Sequence, residues 1–183
     1  DDDYRRFATI ELKDHGHVMK IQGEREGVLP WLGKEDLSGR MSLAWDKKNF
    51  YIHLDVDDNI IRAHDRDSDK WVGDILLIAV DFKNDGGQSY RGDDELLSLA
   101  LVIPRKRQLT KEEEEEEEKR KPDGEYFVKR KDDNSGLVYE VAMPWSLFAA
   151  HGAEVDPEKG PSEGFAFGLD VIVVDDDIGS GAT

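Results

Sequence analysis

Residues 70–81 read Lys70-Trp71-Val72-Gly73-Asp74-Ile75-Leu76-Leu77-Ile78-Ala79-Val80-Asp81, and this stretch constrains the fold more than any other. Its apolar run is too short to cross a membrane and too β-prone to be an ordinary surface helix. Aspartates stand at both ends and an aromatic ring at the entrance. Continuous apolar content over Ile75–Asp81 predicts a central strand.

The remainder of the chain repeats the theme of short strands and turn signals. Phe7–Leu12 and His17–Ile21 flank Asp14-His15-Gly16 and read as an N-terminal hairpin, about residues 7–21. Residues 24–38 form a long loop carrying Trp31. Met41–Trp45 and Phe50–Val56 alternate apolar and polar residues around the turn Asp46-Lys47-Lys48-Asn49. Residues 57–70 read as an acidic loop and 84–92 as a Gly-rich connection. Strands are expected over Leu96–Ile103, Glu125–Lys131, Gly136–Met143 and Phe165–Val174. Pro144 suits the opening of a short helical turn. Glu112 to Glu118, bracketed by lysine and arginine within residues 111–121, read as a solvated loop or short exposed helix. The expected fold is all-β: a two-sheet antiparallel β-sandwich, jelly-roll or immunoglobulin-like, with long acidic loops, in one domain over residues 1–183.

Composition narrows the partners. The net charge of −17 disfavours nucleic acid and anionic membrane surfaces. It suits divalent cations, uncharged polyols and a salt-rich or extracellular setting. The chain has no cysteine, hence no disulfide and no thiolate metal site. It begins at Asp1, which reads as a processed product or excised domain, so export stays open.

Three segments act together. Trp45-Asp46, Phe50-Tyr51 and Val56-Asp57-Asp58 form the first; Trp71, Asp74 and Asp81 the second; Tyr139 to Trp145, ending in Pro144-Trp145, the third. Gly164-Phe165 and the acidic turn Asp175 to Gly179 complete the pattern. In this order, from about Leu43 to Gly179, the chain resembles the family 9 carbohydrate-binding modules and their wider β-sandwich superfamily, which includes haem-carrying electron-transfer subunits. The resemblance implies a sugar stacked between two tryptophans, with Trp71 as the first. The family often carries a glutamate where this chain has Leu77, and its second stacking tryptophan lies past the final acidic turn. Trp31 is the candidate replacement.

Sugars offer C–H faces to aromatic rings and hydroxyl pairs to polar side chains. Trp71 is the expected platform, unless it merely caps the sandwich edge. Gln88, Arg91 and Asp93 are the candidate hydroxyl partners, unless their connection is only a solvated loop. Trp45 and Trp145 are read as core.

Asp65, Asp67 and Asp69 place carboxylates at every second residue, and Asp57, Asp58, Asp175 and Asp176 add oxygens at strand ends. Calcium, which takes six to eight oxygens, is the expected ion, against a reading of plain surface charge. Lys70 and Leu76 break the EF-hand pattern at its Gly and Glu positions. The resemblance also implies structural calcium. His15 and His17 make a weak metal pair, and Met143, a candidate haem ligand by kinship, alternates with core residues. No nucleophile elbow, phosphate loop or His-Glu zinc motif is present.

The expectation is a non-catalytic carbohydrate-binding module with calcium and no organic cofactor. Its partners would be an oligo- or polysaccharide and the other domains of a larger chain, without membrane insertion. Its setting would be extracellular, periplasmic or cell-surface, beside a secreted carbohydrate-active enzyme such as a glycoside hydrolase. A haem-binding electron-transfer subunit and a structural or interaction domain with an eroded sugar site are the alternatives.

Overall fold

The structure, a computed structural model, describes residues 5–14, 31–65, 73–86, 94–103, 110–112, 114–115 and 123–176. Ten strands dominate it. They are β1 (Arg5–Leu12), β2 (Leu37–Trp45), β3 (Asn49–Asp58), β4 (His64–Asp65), β5 (Ile75–Asp81), β6 (Asp94–Ala100), β7 (Val102–Ile103), β8 (Glu125–Arg130), β9 (Gly136–Pro144) and β10 (Gly168–Val174).

Five strands form one antiparallel sheet in the order β1-β2-β3-β9-β8, and three form a second in the order β10-β5-β6. The expected antiparallel sandwich is therefore present, and β5 is central in its sheet. Successive side chains of a strand point to opposite faces. Phe50, Ile52, Leu54 and Val56 of β3 and Leu137, Tyr139, Val141 and Met143 of β9 accordingly face the core, together with Leu76, Ile78, Val80 and Leu97 from the facing sheet. The resulting core is continuous, with Leu54, Leu76, Ile78 and Phe148 fully buried.

One end is closed by aromatic residues. Pro144 is the N-cap of the helix Trp145–Ala150 rather than its first residue, and the Trp145 N–H donates to Lys48 O at 2.9 Å. Trp145 is 1% exposed, and its indole N–H donates to Asp46 O at 2.9 Å. Phe148 meets Phe82 edge-on with ring centroids 4.9 Å apart, and Phe50 meets Phe167 likewise at 5.1 Å. Such edge-to-face pairs add to area burial because ring edges and faces carry opposite partial charge. Asp46 organises the neighbouring turn: its Oδ1 accepts the N–H groups of Lys48 and Asn49, and its Oδ2 accepts the Tyr51 hydroxyl. Burial pushes the Asp46 carboxyl up, but these donors outweigh it and hold the group below its ordinary value.

Several expectations need adjustment. The run Leu96–Ile103 is two strands, because β6 ends at Ala100 and β7 leaves the sheet to pair in parallel with β4. The acidic loop after Asp57 therefore contains a strand residue pair, His64–Asp65. β10 begins at Gly168, later than Phe165, since Phe165 and Phe167 serve the aromatic end instead. β1 pairs with β2, while the expected second hairpin arm, His17–Ile21, lies outside the described residues. Lys111, Glu112, Glu114 and Glu115 are exposed and helical, in keeping with the short exposed helix; the rest of the glutamate run lies outside the described residues.

Candidate functional site

The opposite end of the sandwich is acidic, and alternation along β3 explains how. Asp58 is in phase with Ile52, Leu54 and Val56, so its carboxylate turns toward the core and the residue is only 4% exposed. From the facing sheet, Ile75 and Val174 are cross-strand partners, and the next residue outward on each strand is an aspartate, Asp74 and Asp175. Asp58, Asp74 and Asp175 bring carboxylate oxygens within 4.8 Å of one another. The cluster thus joins the ends of both sheets.

Asp74 is 2% exposed and its carboxylate is fixed by the backbone. Oδ2 accepts the Arg62 N–H at 2.6 Å, and Oδ1 accepts the Asp176 N–H at 3.1 Å. Asp58 Oδ1 accepts the Ile60 N–H at 2.7 Å. Gly73 allows the close approach that seats Asp74: with φ of +104°, a Cβ there would lie 2.7 Å from Arg62 O. The Asp74 N–H donates to that same carbonyl at 2.9 Å.

Unit charges separated by the 4.8 Å limit of this cluster repel by about 3–4 kcal/mol at an effective dielectric of about 20. Three gathered carboxylates therefore favour a shared counter-charge. Each ionised carboxylate offers about four lone-pair sites, so one group can serve several donors at once. The donor set is all oxygen and hard, which fits calcium or magnesium rather than zinc or copper.

One buried hydroxyl of the core also stands out. Tyr139 is 1% exposed and points from β9 into the core, and its hydroxyl makes no hydrogen bond among the described residues. Burial pushes its phenol up, and the charges of Asp74 and then Asp58 push it further.

Asp58 and Asp175, both expected metal ligands, do come together. Asp176 lies beside them without joining: its Oδ2 accepts the Gly73 N–H at 2.8 Å. Asp57 faces the other side of its sheet, where Lys131 Nζ lies 2.6 Å from its Oδ1 and also pairs with Asp55. Asp65 contributes its backbone to β4, and Asp67 and Asp69 lie outside the described residues. Asp74 was not among the ligands expected from sequence. Its signal is the cross-strand register of Ile75 and Val174, which requires knowing that β5 pairs with β10.

Of the expected sugar contacts, Trp71, Gln88, Arg91 and Asp93 lie outside the described residues. Trp31 is half-buried, and its indole N–H donates to Leu37 O at 2.8 Å. Leu32 N–H caps Asp36 Oδ2 at 2.7 Å and Asn59 Nδ2 reaches Asp36 Oδ1 at 3.2 Å, tying the Trp31 loop to the acidic end. An open polar cleft of about 540 Å³ borders Asp58, lined by Lys34, Glu35, Asn59, Asn134 and Ser135 among others. Trp145 and Met143 are core residues, at 1% and 2% exposure, and Trp45 packs against the core half-buried. His15 and His17 fall outside the described residues.

No helix among the described residues is long and apolar enough to cross a membrane. No curated protein and no solved structure matches the chain. A family model does: the one described as carbohydrate family 9 binding domain-like covers residues 20–182, which takes in both sheets from β2 onward and every member of the acidic cluster. The chain therefore belongs to the carbohydrate family 9 binding domain-like family.

Proposed function

We propose that the chain is a single non-catalytic domain that binds an oligo- or polysaccharide, as part of or beside a secreted carbohydrate-active protein. Family membership over residues 20–182 is the observation that carries this reading. The polar cleft beside Asp58 supports it, since amide, hydroxyl, carboxylate and ammonium groups are the partners that sugar hydroxyls take. In this reading Trp71 supplies the stacking ring, two residues before Gly73 in the chain. Gln88, Arg91 and Asp93 are candidate polar contacts. Trp31 would serve as a second ring only by exposing a face while its N–H stays on Leu37 O.

Asp58, Asp74 and Asp175 would hold a structural calcium ion. The chemistry such an ion supplies is a counter-charge, which allows three carboxylates to coexist at the junction of the sheets. The chain's own part is to present fixed oxygens: Asp74 is held by two backbone N–H groups, and Asp58 by one.

Isothermal calorimetry against a panel of soluble glycans tests the sugar claim. Saturable heat for at least one glycan, lost in Trp71→Ala, is expected. No heat from any glycan with folded protein would instead favour a structural domain with an eroded site, a reading that Leu77 in the family's glutamate position already supports.

A further inference from the structure

The outward face of the five-stranded sheet is built differently from either end. Phe50, Ile52 and Leu54 face the core, so Tyr51 and His53 between them face outward. Register aligns two outward rows across β2, β3, β9 and β8. One row is Ser42, His53, Glu140 and Phe127. The next is Ala44, Tyr51, Ala142 and Glu125. Serine and alanine are too small to fill their share of the face. A trough of about 620 Å³ results, lined by both rows, a volume in the ordinary range of ligand clefts.

The trough mixes one apolar ring with polar groups. Phe127 is half exposed in it. His53 Nδ1 lies 3.6 Å from Glu140 Oε1, and both side chains reach solvent. The Tyr51 hydroxyl is fixed, donating to Asp46 Oδ2 at 2.9 Å and accepting from Asn49 Nδ2 at 3.0 Å. A lone exposed ring is ordinary. A ring that shares a trough with carboxylate and imidazole groups offers a sugar a surface for its C–H face and partners for its hydroxyls. Neighbouring strands lie about 4.8 Å apart, close to the length of one pyranose in an extended chain. Successive sugars laid across the strands therefore meet successive side chains of a row. Charge selects among ligands. Glu125 and Glu140 in the trough, on a chain of net charge −17, repel uronate or sulfated polymers and a second copy of the chain alike. A neutral glycan meets no such repulsion.

We infer that this trough is a second glycan site, which takes an extended segment of a neutral polysaccharide across β2, β3, β9 and β8, with Phe127 as its ring and His53 and Glu140 as its hydroxyl partners. The inference rests on the reading that the domain binds carbohydrate. It uses a different part of the chain from Trp71, which precedes β5 of the other sheet in sequence. An open face keeps few desolvated contacts, so a millimolar Kd is expected. Such a site adds little heat to the calorimetric titration and is read by amide NMR instead.

The test titrates linear neutral hexasaccharides of glucose, xylose and mannose into ¹⁵N-labelled wild type and Trp71→Ala. Saturable shifts at the amides of His53, Glu140 and Phe127 are expected in both proteins for at least one glycan. Adding Phe127→Ala to Trp71→Ala should weaken that Kd by about tenfold, as for an aromatic anchor. Glu140→Gln, which keeps the side-chain length, should weaken it by a smaller factor. A hexamer of galacturonate should leave the three amides unmoved. A Kd unchanged by both Phe127→Ala and Glu140→Gln would overturn the inference, as would equal binding of the galacturonate hexamer. The same shifts on concentrating the protein alone would overturn it too, marking an interface between copies. Glycan shifts in wild type that spare these three amides, or that vanish in Trp71→Ala, would overturn the second site and leave the carbohydrate reading intact. If no glycan shifts any amide of wild type, that reading falls and this inference with it.

Discussion

The two ends of the sandwich are built by the same strands and differ in what those strands finish with. At one end β3 and β9 meet the helix Trp145–Ala150, and a cluster of rings closes the core with the Trp145 N–H satisfied. At the other end β3 delivers Asp58 and the β5–β10 pair delivers Asp74 and Asp175 into one place. The same period of two that buries Ile52 and Leu54 buries a carboxylate here. Apolar groups gain by leaving water, whereas charged groups lose unless paired. The apolar packing of the aromatic end is therefore a source of stability that needs no counter-charge. In the proposed reading the acidic end contributes stability only with a bound cation, and it is the end onto which a polar cleft opens.

The largest expected effect tests the aromatic end. Trp145→Ala should cost about 3–5 kcal/mol in urea unfolding, the range for truncating a buried large aromatic. The loss should be the same in calcium and in chelator. A loss that depends on calcium would mean the two ends are not energetically separate.

Chelation tests the other end. If calcium is present at a hundredfold its Kd, removing it should lower stability by about 3 kcal/mol, read as a fall in Tm. Asp74→Asn should abolish that response. In chelator the substitution should cost less than in calcium, because it removes one of three mutually repelling charges. A full calcium response in Asp74→Asn would place the ion elsewhere.

Asp46 sharpens the comparison, since it is a carboxylate at the aromatic end held by backbone N–H groups and the Tyr51 hydroxyl. Asp46→Ala should lose about 1–2 kcal/mol at neutral pH through its turn hydrogen bonds, without any calcium dependence. The Asp46 carboxyl titrates lower in the folded protein than its ordinary 3.8, so its contribution is present above that value. It fades as pH falls below 3.8 and through the folded value, so wild type and variant should converge in acid.

The smallest effect is expected on the outer face of the five-stranded sheet. Phe127 is 50% exposed there, opposite Glu140, and Phe127→Ala should change stability by no more than about 0.5 kcal/mol. A larger loss would show that this face is covered.

The aromatic end was legible in the chain and the acidic end only in part. Alternation over Phe50 to Val56 and over Leu137 to Met143 identifies inward residues without knowledge of the partner strand. Trp145 as core follows from its position beside that pattern. Asp58 is also in phase, but an aspartate at a strand end is more often solvated, so phase alone does not bury it. Asp74 and Asp175 meet because β5 pairs with β10 across a long stretch of chain, and no local pattern encodes that pairing. Tyr139 alternates with apolar neighbours, and only the structure shows that its hydroxyl is buried without a hydrogen bond among the described residues. The β4–β7 pair was illegible for a related reason, since two-residue strands carry no periodicity.

The most direct measurement of the central claim is calorimetric titration of the folded chain with soluble glycans, once in calcium and once in chelator. The account predicts saturable binding in calcium for at least one glycan, abolished by Trp71→Ala, and weaker binding in chelator. Absence of saturable heat under both conditions would contradict it.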